Sequence, residues 1–493
     1  MGAKAPAKWL GAGVTTGTAQ VSANTQALAN WWALFNDPTL DSLIKRGIEA
    51  NLDVKLAAER VRQARAVIGE NQGLMLPTLG ASGSYTRSYT ELPKQNGVTG
   101  VNRHSSSDSY RAGFDAAWEL DVWGKNRRSI EASGADAQQQ LENLRNALVT
   151  LTAEIGTDYL TLRGQQEQLR ITLENLEIQR HSADITRKRY AVGFVSKLDV
   201  ENAQAQVQST ESDIPSLEGQ ITQTIYQLST LLGAQPEALL AELKPAARMP
   251  RLPHEIPAGI PSDILERRPD IRANEAAVHA ATARIGVAVA DLFPQFTLSG
   301  SAGWSASKLG NWSHNVTSNY SGGPSVSWNL FNGFRTMFSI KEAQSAARQA
   351  VLTYQQTVLT AFQEVESAWI GYDKAIERGR ALEQTAAAYR RALTLSQQLY
   401  TEGQNDFLSV LDAERSLFNA QNSLSVNRIN AANYLVALYK ALGGGWQGQD
   451  LDAAARAQGE SEAKEKLPGQ KAPAAEPTSR IHLPEMPTES AGQ

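Results

Sequence analysis

The chain has 493 residues, with 47 Lys plus Arg against 51 Asp plus Glu, so its formal net charge is only -4. That balance leaves no electrostatic footprint for nucleic acid, and there is no dense basic tract. Cysteine is absent, which excludes disulfides, thiolate-bound zinc, iron–sulfur clusters and a thiol nucleophile, and the histidines at 104, 181, 254, 279, 314 and 482 form no pair at metal-ligand spacing.

Mean hydropathy is -0.35, and no stretch approaches the ~18 consecutive apolar residues of a membrane-spanning helix. A membrane β-barrel stays open, because its strands alternate and do not raise hydropathy. Met1 to Ala12 is short, mixed and polar. The expectation is therefore a cytosolic protein or one whose targeting segment is not part of this sequence.

Residues 1–52 read as an N-terminal segment with a short helix. Beyond it the chain repeats itself. Leu52-Asp53, Pro77, Leu79 and Gly83 recur 217 residues later as Pro269-Asp270, Pro294, Phe296 and Gly300 in matching places. Trp118, Ser129-Ile130, Tyr190, Gly193, Leu198, Val200 and Leu232-Gly233 recur 210 residues later. Constant offsets over this span define two repeats, 53–233 and 263–446, the first with a longer loop between its strands.

Each repeat reads as helix, hairpin, very long helix, tip, helix. The first repeat has alternating runs at about 79–89 and 110–120, the second at about 295–305 and 322–331. Long helices are expected at about 125–190 and 335–400. Their heptad tracks run through Leu141, Leu148, Ile155, Leu162, Leu169, Leu176 and Ala183, and through Val351, Val358, Val365, Tyr372, Gly379, Ala386, Leu393 and Tyr400. At 1.5 Å per residue each would be about 100 Å long. Gly193 and Gly403 stand where a left-handed residue ends a helix. Ser196 and Asp406, with Asp199 and Ser409 three residues on, read as N-caps of returning helices at about 197–232 and 407–442. Pro215 should bend the first of these. A helix is also expected over 263–292. Residues 234–262 are a Pro-rich linker, and the aperiodic 447–493 is expected to be a disordered tail.

The strands alternate apolar with Ser, Thr, Arg, Asp and Glu, each long enough for a tilted membrane strand. A soluble sandwich with one wet face is the blander reading. Four strands, however, cannot close a barrel or cover an apolar face, so the pattern argues for oligomerisation. Residues 91–109 and 306–321 read as the loops joining the strands.

Several motifs recur in order around this repeat. They are Trp31-Trp32 with Phe35-Asn36-Asp37-Pro38, Trp118-Glu119-Leu120-Asp121-Val122-Trp123-Gly124, Arg267-Arg268-Pro269-Asp270-Ile271-Arg272-Ala273, Asp291-Leu292-Phe293-Pro294, Leu411-Asp412-Ala413-Glu414-Arg415 and Gly443-Gly444-Gly445-Trp446. Over about 27–446 the chain resembles outer-membrane efflux channels of the TolC/OprM type, nearer the OprM-like branch. The resemblance implies a mainly α fold with a small antiparallel β part. In a homotrimer, four strands per chain would build a shared 12-stranded transmembrane β-barrel above a periplasmic α-barrel. It implies a passive exit duct for small toxic molecules or drugs in the bacterial outer membrane, with most of its mass in the periplasm. The partners implied are a periplasmic membrane-fusion adaptor, an inner-membrane pump of the RND type and outer-membrane lipid. No cofactor and no metal are implied. Members of that branch begin, after processing, with a lipid-bearing cysteine, which this chain lacks.

The resemblance also assigns sites. Tyr400, Leu408 and Asp412 match the closed periplasmic aperture, with an aliphatic ring, an acidic ring and a tyrosine. An Arg often precedes that tyrosine and pairs with a neighbouring helix; here Leu399 stands there. The tips, Gly193, Phe194, Val195 and Ser196 with Gly403, Gln404, Asn405 and Asp406, become adaptor-docking sites. Tyr85, Tyr110, Phe114, Trp118, Trp304 and Trp328 become lipid-facing or interfacial anchors. Blander readings stand beside these. Leu408 could be seam packing, and capping explains Asp199 and Asp406. No P-loop, dinucleotide fingerprint or nucleophile elbow is present, so an enzyme is not expected. Two alternatives keep the helices but change the role: an outer-membrane component of type I protein secretion, or a coiled-coil structural scaffold.

Overall fold

The structure is a computed structural model, and it describes residues 20–21, 25–91, 104–253, 255–256, 261–308 and 316–447. In chain order these form β1 (Gln20–Val21), a 3-10 helix (Thr25–Phe35), α1 (Pro38–Ala50), α2 (Leu52–Gly73), β2 (Thr78–Glu91), β3 (His104–Leu120), α3 (Lys125–Ala191) and α4 (Lys197–Leu231). There follow a 3-10 turn (Pro236–Leu239), α5 (Leu240–Leu243), β4 (Glu255–Ile256), α6 (Asp263–Arg267), α7 (Pro269–Ala290), β5 (Gln295–Ala306), β6 (Thr317–Ser327), α8 (Arg335–Thr401) and α9 (Phe407–Ala441). The tail expectation falls, apart from Gln447, outside the described residues.

The repeat is visible in helix lengths. α2, α3 and α4 have 22, 67 and 35 residues, and α7, α8 and α9 have the same three lengths. α3 packs against α2 and α7 along its first part and against α4 and α9 along its second. α8 packs on α7 and α9. The 263–292 helix divides at Arg268, which is extended (ψ 119°) because the ring of Pro269 excludes the helical conformation from the residue before it. α4 runs unbroken through Pro215.

A buried knot joins the repeats near the middle of α3. Trp31 is fully buried and stacks on Tyr439 with centroids 5.3 Å apart. A methyl group on Gly156 would approach Trp31 Cη2 to 2.6 Å, so the glycine makes this close approach possible. Arg268, 7 % exposed, donates to Asp270 and to Glu364, each at 2.7 Å, and to the Ala441 carbonyl at 3.0 Å. Its buried charge is thereby paired, as burial requires.

The main sheet is antiparallel in the order β2-β3-β5-β6. Directly opposed residues share a face, and the register sorts them cleanly. Ala81, Phe114, Ala302 and Tyr320 align across the four strands, as do Leu79, Ala116, Gly300 and Gly322. Ser82, Gly113, Gly303 and Asn319 occupy the other face. On the apolar face Tyr85 packs on Tyr110, with centroids 4.8 Å apart, and Phe114 meets Trp304 edge-on at 6.5 Å. Among the described residues no helix is packed across either face.

Three strand boundaries differ from the sequence expectation. β3 begins at His104, and its first residues pair with Thr86 to Glu91. The serines there give both faces the same polarity, so no alternation betrayed the strand. β6 occupies Thr317–Ser327 and not 322–331, because the polar run Thr317, Ser318 and Asn319 hid its start while Trp328 and Leu330 continued the pattern past the ladder. Pro324 is tolerated because β6 is paired on one side only. The joining loops are correspondingly shorter than 91–109 and 306–321, and residues 92–103 and 309–315 lie outside the described residues.

Trp328 therefore does not stand on a strand. Its indole nitrogen donates to the Leu292 carbonyl at 3.1 Å, as Trp118 donates to the Met75 carbonyl at 2.9 Å. Donors and acceptors are repeat-equivalent, so each hairpin has one indole tying its foot to the end of the preceding helix.

Candidate functional site at the helical tips

Both long helices end in the same way. Gly193 and Gly403 have φ of 76° and 77°, a region open to glycine at little cost. The amide of Gly193 donates to the Tyr190 carbonyl at 2.9 Å and that of Phe194 to Arg189 at 2.9 Å. Gly403 and Gln404 repeat the pair on Tyr400 and Leu399 at 3.0 and 2.9 Å. These are Schellman closures, which satisfy the last carbonyls and reverse the chain. Ser196 then caps α4 in a reciprocal box with Asp199, whose carboxylate accepts from the Ser196 amide at 3.0 Å. Asp406 caps α9, accepting from the Ser409 amide at 3.0 Å and its hydroxyl at 2.6 Å. Those two bonds hold the Asp406 carboxyl below the usual carboxylate range.

The tips differ in chemistry. Val192, Phe194 and Leu198 are exposed at the first, with Phe194 at 76 %. At the second, Glu402, Gln404 and Leu408 occupy the equivalent places. Val195 and Asn405 are half-buried.

Leu408 and Asp412 lie one helical turn apart on the same exposed face of α9. The packed face of α9 is instead Phe407, Val410, Leu411 and Leu417, which join Leu176, Ala183, Ala203, Val207 and Leu393 in one core. Leu408, 62 % exposed, takes no part in that core within the chain. Tyr400 does not share that face. It is 3 % exposed, its ring lies 5.7 Å from Phe407 and its hydroxyl donates to Thr186 at 3.3 Å. Its ring is held in the seam between α3, α8 and α9 of its own chain.

The holding group is Arg189, near the end of α3. Its guanidinium lies 4.5 Å from the Tyr400 ring centroid and donates to the Tyr400 carbonyl. It thus adds a cation to the carbonyl end of α8. Arg189 is the repeat equivalent of Leu399, so the first tip of each chain carries the arginine and the second does not.

A second group that sequence reading passed over is Glu414. It is 2 % exposed, and its carboxylate accepts from the Ser182 hydroxyl at 2.5 Å. Burial pushes its carboxyl up, against the opposing hydrogen bonds from Ser182 and Gln397. Further along the same seam Asn175 donates to Gln421 at 2.7 Å. Asn175, Ser182 and Arg189 are spaced by seven, as are Glu414 and Gln421, so a second, polar heptad track beside the apolar one was the available signal.

Among the described residues no helix is long and apolar enough to cross a membrane, and no three His, Asp or Glu side chains converge as metal ligands. Paired long-helix hairpins carrying a small sheet with one apolar face define the class of outer-membrane channel proteins. Residues 43–234 and 260–444 match the outer membrane efflux protein family, one match per repeat, and the chain belongs to that family. It is similar to nodulation protein T of Rhizobium leguminosarum bv. trifolii, 32 % identical over 443 residues, covering 90 % of this chain and 92 % of the relative. The pyoverdine export outer membrane protein OpmQ of Pseudomonas aeruginosa is 33 % identical over 454 residues, covering 90 % and 92 %. Among solved structures, the outer-membrane channel OprN is 33 % identical with a TM-score of 0.81, covering 90 % of this chain and 98 % of that one. The protein is an outer-membrane efflux channel with its helical part in the periplasm.

Proposed function

We propose that three copies of this chain form one continuous duct, which passively conducts small molecules outward and has no catalytic step of its own. The observation that carries this reading is a matched pair of free edges. β2 and β6 end the sheet, with α2 attached to β2 and α8 attached to β6. On the helices leading from those edges Leu52 and Leu56, and on the other side Leu352 and Leu359, are exposed. Joining edge to edge three times closes a barrel of twelve strands and covers these residues. The apolar face, with Tyr85, Tyr110, Phe114, Trp118 and Trp304, then meets lipid, and Trp328 sits at the strand foot.

In that trimer Leu408 and Asp412 form two stacked rings at the periplasmic end, an apolar constriction and an acidic one. Arg189 on Tyr400 keeps the second hairpin against the first. The exposed Val192, Phe194 and Leu198 make the first tip the main docking surface for a periplasmic adaptor, whose own partner is an inner-membrane pump of the RND class. Adaptor binding opens the tip only if it favours the open arrangement over the closed one.

Extraction and conductance test this reading. The protein is expected to fractionate with outer membranes, to need detergent, and to conduct ions in planar bilayers. A detergent-free soluble rod would instead favour the coiled-coil scaffold.

A further inference from the structure

Glu414 stands out in the seam between α3, α8 and α9. A buried carboxylate is ordinarily paired with a cation. Here it meets the Ser182 hydroxyl, with the Gln397 amide beside that hydroxyl at 3.4 Å. The charged groups around it are engaged elsewhere or face water. On α3, Asp184 pairs with Lys188 at 2.6 Å, Arg187 donates to Gln204, Arg189 holds Tyr400 and His181 is exposed. On α8 and at its C-cap, Arg390, Arg391 and Glu402 are exposed, and Tyr400 is spent on Thr186. On α9 itself, Asp412 and Arg415 are exposed. α4 brings Ala203 and Val207 to this core, while its Glu211 is tied to Arg180 at 2.7 Å. One turn along α3, Gln179 is 2 % exposed, and neither atom of its amide has a hydrogen-bond partner. Polar capacity is thus present in the seam, but no compensating charge.

We propose that Glu414 is a proton-binding site that couples closure of the tip to pH: protonated it stays in the seam, and ionised it drives α9 away from α3. The inference rests on the gate reading above, because α9 also carries Leu408 and Asp412. The sign follows from linkage. Burial raises the carboxyl above its ordinary value of 4.5 in the closed seam, whereas in an open tip it returns to water. The closed form therefore binds the proton more tightly. Closure is fully supported below the ordinary value, and the support fades as pH rises from there through the raised one. Within that window each pH unit changes the closed-to-open ratio by up to about tenfold per chain.

The test is conductance of the intact trimer in planar bilayers, titrated from below pH 4.5 to mildly alkaline, for wild type, Glu414→Gln, Ser182→Ala and Asp412→Asn. Wild type is expected to open progressively with rising pH. Glu414→Gln, neutral and of similar shape, should stay near the acid level at every pH. Ser182→Ala removes a donor to the anion, so its midpoint should move to higher pH; this arm decides the matter if Glu414→Gln does not assemble. A pH profile unchanged in Glu414→Gln, or an unmoved midpoint in Ser182→Ala, overturns the proposal. So does a profile abolished in Asp412→Asn alone, which would assign the titration to the acidic ring and leave the gate reading standing. If Leu408→Ala with Asp412→Ala also fails to change conductance, the gate reading itself has failed.

Discussion

Replacing Arg189 by Ala removes a cation that binds the two tips of a chain together. Two interactions are lost. The guanidinium sits 4.5 Å from the Tyr400 centroid, a geometry contributing about 0.5–2 kcal/mol according to exposure. Its hydrogen bond to the Tyr400 carbonyl carries charge and contributes about 1.5–3 kcal/mol. The side chain is half-buried, so solvent screening favours the lower ends, and about 2 kcal/mol per chain is a reasonable sum. That corresponds to about thirtyfold in the closed-to-open ratio of one tip. If the three tips of a trimer open together the shift is about 6 kcal/mol, or some four powers of ten. The assay is open probability in planar bilayers, with trimer integrity followed on the same preparation. Arg189→Lys keeps the charge but loses the planar fork, and should recover only part of the closure. An Arg189→Ala trimer that is intact and opens no more often than wild type would show that the latch restrains nothing, and Tyr400 would become an ordinary core residue.

Leu408→Ala combined with Asp412→Ala should raise single-channel conductance and weaken cation preference, while Asp406→Ala, which removes only a helix cap, should leave conductance alone; an equal rise in both would move the constriction elsewhere. Leu399→Arg should restore an inter-chain latch, because repeat symmetry aims it at Tyr190 of the neighbouring chain, and should lower open probability. Gly164→Ala would drive a methyl group into Ile429 at the α3–α9 contact; overpacking of this kind costs about 1–3 kcal/mol, seen as a lower temperature of trimer dissociation. Phe194→Ser with Val192→Ser should weaken adaptor capture without changing basal conductance, and undiminished capture would move the docking surface off the first tip.

The architecture was largely legible because it is local and periodic. Constant offsets between Trp118 and Trp328, or Gly193 and Gly403, announce two copies of one plan, and a heptad track needs no tertiary information. Strand ends were not legible where both faces are polar, as over His104 to Ser109 and Thr317 to Asn319. The tip was half legible. Leu408 and Asp412 share a face by helical spacing alone, but Arg189 reaches Tyr400 across 211 residues of sequence. No pattern within one helix reports such a contact. Glu414 was visible as a carboxylate in a motif, yet its burial depends on how α9 rotates against α3, which only the packed core around Phe407 and Leu417 determines.

The central claim is that this chain is one third of a hollow duct. Particle images of the detergent-purified protein test it most directly, together with a mass measurement against the chain mass of 53.4 kDa. The account requires three chains per particle and a threefold cylinder, open along its axis through a short barrel and a helical part about 100 Å long, in line with 67-residue helices, and narrowed at the far tip. A monodisperse single chain, or a solid rod without an axial channel, would contradict it.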